Sequence, residues 1–467
     1  MVGIIQLCRA ASIVYLFTLL TACATSSLFN PYPSQALVYQ DAIYQGNVGV
    51  VDKKGVLLAL SEKKNDADSM LYMMERGRIN QLDDNFKASL LDFEWVIDKF
   101  EKQDLDATIQ LSSLANQSAA LISNDNAIPY QGAGYERILT HHHQAFNYLG
   151  QQDKEGASVE FRKVALEQSI LLEQHEKEID NAYDEAEENS LDLENLSNEF
   201  SGMDTVAGKV KSSFQNAYTF YTSAAFWEAT GDYNAAWIDY KKAYEINSNN
   251  GYLKQDVARM AKKLGVSTYL KDLNEAKPGQ GSVVVFFEEG FVPAKEEIRI
   301  PIPTFDGGFI SLAFPYYKTE FWPKSQRLRA MTADFNDLGY SQEVADISAL
   351  AVKDLKEQVP KLLVRQALRG IAKYKMQQNA TEQAGLAGQF LANVYNMISE
   401  TADRRSWLTL PHTAQVMRFN LDEGSQEILL STPNSKASVL LDVRGNRTLF
   451  IRAVAVKNQL MTQIYTL

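Results

Sequence analysis

The chain has 467 residues, with 46 Lys or Arg against 58 Asp or Glu and a formal charge of −12. That balance excludes broad electrostatic attachment to nucleic acid, and two cysteines exclude a disulfide framework. A content of 45% hydrophobic and 22% charged residues is that of a globular protein, long enough for two or three domains.

In chain order, the first element is a leader over residues 1–22. Met1–Arg9 carries a single basic side chain, and the apolar run Ala10–Leu20 follows. That run fits the apolar stretch of a secretion signal and falls short of the ~20 residues that span a bilayer. It closes on Leu20-Thr21-Ala22-Cys23, which resembles a bacterial lipoprotein signal. The resemblance implies cleavage before Cys23, a thioether carrying two acyl chains and a third chain on the freed amine. Two or more chains anchor a protein stably, where one binds reversibly. Ala24 stands where Asp would imply inner-membrane retention by likeness to enterobacterial sorting. The expected location is therefore the outer membrane, facing the periplasm, with 23–37 as a polar tether. Cys8 leaves with the leader and Cys23 is acylated, so no thiol remains for chemistry.

Residues 38–276 predict a helical repeat domain. Over Phe220–Asn250, the residues Ala224, Trp227, Gly231, Tyr233, Ala236, Tyr240 and Ala243 recur at the spacing of two antiparallel helices with a Gly-Asp turn. This resembles a tetratricopeptide repeat, with Ser248 where that family prefers Pro. Two weaker copies precede it, with Phe93 aligning with Phe161 and then with Tyr240. The first interval is twice the 34-residue period and the second is longer, so an insertion lies between. Gln151-Gln152-Asp153 is a poor match to the repeat turn. The insertion, Glu173–Glu199, is strongly acidic and sets Ile179, Tyr183 and Ala186 at helical spacing, with a turn near Asn189–Ser190. It reads as a solvated helix or as a surface for a basic partner. Stacked repeats present a concave groove for a protein segment; a closed bundle is the alternative.

After Lys277-Pro278-Gly279-Gln280-Gly281 the pattern turns to strands, at 282–287, 297–303 and 308–314. Helical patterning returns over about 341–403. Five further strands follow between Ala414 and Leu467, with turns at Asp422-Glu423-Gly424 and Arg444-Gly445-Asn446. The expected fold class is α+β: a tetratricopeptide-like α-solenoid, then a β-rich, sandwich-like domain over 282–467 with a helical insertion.

The search for chemistry finds no catalytic motif. His141-His142-His143 cannot converge on one ion from a helix, because successive residues point about 100° apart. Gly202 and Gly208-Lys209 fail the phosphate-loop spacing. G-x-S-x-G and H-E-x-x-H are absent. No catalytic residue, metal or cofactor is expected. Two segments stand out: Pro129–Glu136 and Ala402–Pro411. From these, Tyr130, Tyr135, Arg404, Arg405 and Trp407 are candidate anchors for a partner, since aromatic and Arg side chains dominate interfaces; the alternative is a packed connection. In the insertion, Lys361, Arg365, Arg369 and Lys373 follow at intervals of four and predict one basic row, opposite Leu362, Leu363, Leu368 and Ile371. That row is a solvated face, or a surface for the acidic helix, anionic lipid or wall polymer.

Taken together, Cys23, the P-Y-x-G segment at 129–132, Gly231-Asp232-Tyr233, the Gly290/Pro293/Lys295 stretch and A-D-x-R-S-W-x-T-L-P at 402–411 resemble a family of uncharacterised proteobacterial outer-membrane lipoproteins with tetratricopeptide-like repeats. The resemblance implies location and architecture, and no activity. The expected function is a non-enzymatic periplasmic scaffold, membrane-bound through its acyl chains, holding a periplasmic protein in envelope or cell-wall assembly. A glycan- or lipid-binding role for the C-terminal domain is the alternative, with an enzyme on wall polymer third.

Overall fold

A computed structural model of the chain describes residues 30–44, 53–110, 125–188, 192–266, 273–303, 309–320, 322–370, 372 and 401–467. Cys23 and the tether up to residue 29, Asn189–Ser190, Ile371 and Lys373 lie outside the described residues, and the expected tether is already helical from Tyr32, with Tyr32 and Ala36 buried. The protein mixes helix and sheet, with helices mostly N-terminal and strands C-terminal. The longer helices before the first strand are α1 (Tyr32–Tyr44), α2 (Lys53–Glu62), α3 (Ser69–Leu82), α4 (Phe86–Gln110), α5 (Gly134–Gly150), α6 (Lys154–Glu188), α7 (Ala217–Thr230), α8 (Tyr233–Ile246) and α9 (Gly251–Lys263). Among the described residues no helix is long and apolar enough to cross a membrane.

Three helical hairpins share one local design. Asp84, Gln152 and Gly231 close α3–α4, α5–α6 and α7–α8 with left-handed backbone, at φ 57°, 63° and 92°. In each, the following amide returns to the carbonyl five residues earlier: Asn85 to Asn80 at 2.9 Å, Asp153 to Tyr148 at 2.9 Å and Asp232 to Trp227 at 2.8 Å. This Schellman closure satisfies carbonyls that a helix end leaves unpaired. The small residues Gly77, Ala145 and Ala224 hold equivalent positions before these turns, and the buried rings Phe93, Phe161 and Tyr240 hold equivalent positions after them. A Cβ on Gly77 would lie 2.8 Å from the Phe93 ring, so the helices cross where no side chain fits. The poor-looking turn at Gln151-Gln152-Asp153 thus forms like the others. The acidic part of α6 buries Ala182 and Ala186 and turns Tyr183 outward, one step round from the expected Ile179–Tyr183–Ala186 seam.

The strands are β1 (Gln280–Glu289), β2 (Glu296–Pro303), β3 (Phe309–Tyr316), β4 (Arg329–Thr332), β5 (Asp337–Tyr340), β6 (Gln342–Asp346), β7 (Thr413–Asp422), β8 (Gly424–Ser431), β9 (Lys436–Val443), β10 (Thr448–Val456) and β11 (Gln459–Thr466). Helix α10 spans 347–370. The stretch expected to be helical from 341 therefore begins as a strand. β4, β5 and β6 are too short for alternation to show in the sequence. The eleven described strands form a five-stranded sheet in the order β11-β10-β1-β7-β6, a four-stranded sheet β5-β4-β8-β9 and the hairpin β2-β3. The chain passes from the first sheet to the second at Glu423-Gly424.

Strand β1 shows how the layers assemble. Val283, Val285 and Phe287 face a core shared with β4, β7, β8, β9 and β10, which packs the two sheets together. Val284 and Phe286 face the helices. Phe286 meets Phe146 of α5 at 5.7 Å and Tyr218 and Tyr221 of α7 at 6.3 and 6.2 Å between ring centroids. One continuous core therefore runs from Tyr32 of α1 to Tyr465 of β11.

Buried charge crosses the same boundary. Glu288 of β1 accepts from Arg452 Nε of β10 at 2.8 Å, from Arg78 of α3 and from Tyr218 of α7 at 3.1 Å. All four are buried. Burial alone would raise the Glu288 pKa, but Arg452 and Arg78 pull it down to about 2. Further along the sheet, Arg418 of β7 donates both Nη groups to Glu228 of α7, at 2.8 and 3.1 Å. Arg259 and Asp256 of α9 complete that second group.

Two outcomes are expected. Gln152→Gly relieves left-handed strain at an exposed position and should stabilise the fold by about 0.5–1 kcal/mol, read as a higher melting temperature. Glu288→Gln strands two buried guanidiniums and should cost about 3–5 kcal/mol in denaturant unfolding. Because its folded pKa lies below the ordinary 4.5, the Glu288 contribution is complete above that pH and is lost as pH falls toward 2. The variant should lack that part of the acid transition.

Candidate functional site

A polar cavity lies where β1 and β6 end and β7 begins. It encloses about 340 Å³ and is lined by Lys209, Trp322–Ser325, Glu343, Asp346, His412 and Thr413. A β-bulge builds its floor. Glu343 pairs with Gln415 and Asp346 with Thr413, while Val344 between them is left over. Three residues apart on a regular strand, Glu343 and Asp346 would point to opposite faces. The bulge absorbs one residue and sets both acids on one face, beside Gln415 and Thr413. Val344 turns to the helical core instead.

The 322–328 segment roofs this floor. Gln415 Nε2 donates to Ser325 Oγ and to the Gln326 carbonyl, both at 2.7 Å. Gln326 N donates to Glu289 at 3.0 Å, and Leu328 N to Ser341 Oγ at 2.8 Å. His412 closes the inner wall. Its Nε2 donates to the Pro323 carbonyl at 3.2 Å, a tautomer assigned from that acceptor, so Nδ1 accepts from Ser348 at 2.6 Å. Burial lowers the His412 pKa.

The two floor acids differ. Asp346 is spent structurally: Oδ1 caps α10 by accepting from Ala349 N at 2.8 Å, and Oδ2 meets Lys209 Nζ at 3.1 Å. Glu343 takes part in no ion pair among the described residues. Its pKa is raised, first by desolvation of the carboxyl in the cleft wall and then by Asp346, although much of the residue reaches solvent. The site can thus offer hydrogen bonds and an aromatic face. Its serine nearest a base, Ser348, is fully buried and cannot serve as a nucleophile to an entering substrate.

The two segments singled out in the sequence come together elsewhere, as an internal clamp. Glu136 accepts from Trp407 N at 2.7 Å, from Tyr135 OH at 3.2 Å and from Tyr130 OH. Glu75 of α3 accepts from Leu408 N at 2.9 Å, from Tyr32 OH at 2.7 Å and from Thr409. The Trp407 ring lies against Phe93 and His143, at 5.7 and 5.6 Å. Arg405 is held by Asp403 and Asp68 and donates to the carbonyls of Ile128 and Asp125. Tyr130, Tyr135, Arg405 and Trp407 are all buried, so they anchor one part of the chain to another and present nothing to a partner. Arg404 alone reaches the surface, beside a cavity of about 70 Å³.

The basic row is likewise corrected. Arg365 pairs with Asp125 at 2.9 Å, and Arg369, 1% exposed, meets the same carboxylate at 3.3 Å. Only Lys361 of the described members is exposed. Asp125, brought from the α4–α5 connection, converts the row into an internal ion pair.

The histidines diverge: His141 meets Glu160 at 2.7 Å, while His142 and His143 turn in toward Glu288. Their donor atoms lie within 4.8 Å of one another. Arg78 and Arg452 occupy the Glu288 oxygens and their charge opposes a cation, so this is an ion-pair centre. Burial lowers the His142 pKa to about 3. No motif marks Lys209, Trp322, Glu343, Asp346 or His412. Lys209 stands out in sequence only within the rejected phosphate loop.

Comparison with protein-family models, curated proteins and solved structures finds no match to this chain.

The clamp generates a pH prediction. Burial pushes Glu75 up to about 7, against the hydrogen bonds it accepts. A raised carboxyl favours the fold while protonated, so this contribution is full below pH 4.5 and is lost as pH rises toward 7. Glu75→Gln reproduces the protonated shape and should stabilise the protein at pH 8 by up to about 3 kcal/mol. Its gain over wild type should vanish near pH 4.

Proposed function

We propose that this chain is a lipid-anchored protein of the cell envelope that acts by binding and not by catalysis, with the β1–β6–β7 cleft as its recognition site. The Cys23 signal and the likeness to outer-membrane lipoproteins support the anchor and its periplasmic orientation. The recurrent turns at Asp84, Gln152 and Gly231 support a tetratricopeptide-like array, and the facing sheets support a sandwich-like second part.

One observation carries the choice of site. The inner helices of the hairpins, α3, α5 and α7, spend their faces on the chain's own sheet through Arg78, Phe146, Tyr218 and Tyr221. A groove occupied in this way is closed to a partner segment. The cleft is lined by Lys324 and Glu343, two charged side chains that form no ion pair among the described residues. A protein scaffold remains the second reading, favoured by apolar side chains on the outer helices. Leu91 and Leu105 of α4 and Val159 and Leu166 of α6 are 57, 62, 45 and 59% exposed.

Metabolic labelling with an alkynyl fatty acid, followed by membrane flotation, tests the anchor. Label on the wild type and its loss in Cys23→Ala, with the variant leaving the membrane fraction, is the expected result. Equal flotation of an unlabelled wild type would overturn it.

A further inference from the structure

We infer that the cleft takes a carbohydrate, one or two pyranose rings of a neutral envelope glycan, with Trp322 as the platform and Glu343 as the hydroxyl acceptor. This deepens the cleft-binding reading above and rests on it.

The first argument is size. A cavity of about 340 Å³ is at the lower end of the ~300–1,000 Å³ range of small-molecule sites, and it is open at one side. It fits the end or a short stretch of a chain and leaves the remainder in solvent.

Charge is the second argument. The wall sets Lys209 and Lys324 against Glu343 and Asp346, a balance that rewards neither a free anion nor a free cation. Lys209 and Asp346 already satisfy each other at 3.1 Å. What is left is one ammonium, Lys324, which forms no ion pair among the described residues, and one carboxylate, Glu343, with none either. The Ser325 and Thr413 hydroxyls lie between the sheet and its roof. A ligand must therefore bring donors and acceptors in similar number, as a ring of hydroxyl groups does.

Shape is the third. Trp322 lines the cavity with an indole fixed edge-to-face against His412, at 5.9 Å, and with Lys209 Nζ 5.8 Å from its centroid. The negative face of an aromatic ring attracts the slightly positive C–H edge of a ligand. A pyranose has such an apolar C–H face and a rim of hydroxyls. Glu343, carried to that side by the Val344 bulge, can accept from two adjacent hydroxyls through its two oxygens. A peptide or free amino acid would use Lys324 and Glu343 but would make no stacking contact with the indole, over which Lys209 Nζ already lies.

The test is calorimetric titration of the full-length acylated protein in detergent with three probes: N,N′-diacetylchitobiose, maltotriose and the dipeptide alanyl-glutamate. Wild type should bind at least one saccharide. Glu343→Gln should weaken it by about tenfold or more, as loss of a charge-assisted bond does. Trp322→Ala should abolish it, and Lys361→Gln, far from the cleft, should leave it unchanged. Should Trp322→Ala melt early, Glu343→Gln at the rim carries the decision. Binding of the dipeptide alone, lost in Glu343→Gln, would overturn the carbohydrate assignment and leave the cleft as the recognition site. No heat with any probe would overturn both. Saccharide binding indifferent to Glu343 and Trp322 would place the ligand elsewhere and overturn this assignment.

Discussion

A carboxylate near the end of the central strand sets the terms for this structure. Glu288 sits on β1 with no access to water, so it must be neutralised from whatever packs over the sheet. Arg452 from the neighbouring strand supplies one charge and Arg78, from a helix 210 residues earlier, supplies another. Without Arg78 the helical region would lose its ion pair with β1, while Arg452 would stay paired with Glu288. The helical and sheet regions are thereby bound to one another, and the Glu228–Arg418–Arg259 group repeats the arrangement along the sheet. Breaking such a group by removing one partner is strongly destabilising, because it leaves a buried charge uncompensated.

That docking decides what is left for function. Helical hairpins with small residues at their crossings ordinarily leave an inner surface open. Here Phe286 and Glu288 fill it, and 402–411 is threaded beneath α3 and α5 by two buried carboxylates, Glu75 and Glu136. The same segment leads into His412 and β7, so the clamp also positions the inner wall of the cleft. Aromatic and Arg residues that look like interface anchors in a linear reading are consumed as internal ones. The remaining polar groups line the cleft at the start of β7, beside the edge strand β6 and under the 322–328 segment.

The site itself depends on a single irregularity. Without the bulge at Val344, Glu343 and Asp346 would face opposite sides, and the cleft would lose one of its two acids. A bulge of this kind leaves no composition signature. It arises because β7 offers Gln415 and Thr413 as partners while the helical core draws in Val344. The expected helix from residue 341 fails for the same reason, since β6 exists only as an edge added to β7.

The sequence by itself determined the elements whose physics is local. The Gly231 turn, the small-residue crossings opposite Phe93, Phe161 and Tyr240, and the alternating strands of the C-terminal half all follow from periodicity and backbone preference. Even the weak turn at Gln152 formed, because neighbouring helices impose its geometry. What the tertiary structure alone decided were the relations between distant segments: Asp125 capturing Arg365 and Arg369, Glu136 capturing Tyr130 and Trp407, and Lys209 meeting Asp346 across 137 positions. A charged or aromatic side chain carries the same sequence signature whether it faces water or a partner in the core. Its role is fixed only when the fold brings, or fails to bring, the group that neutralises it.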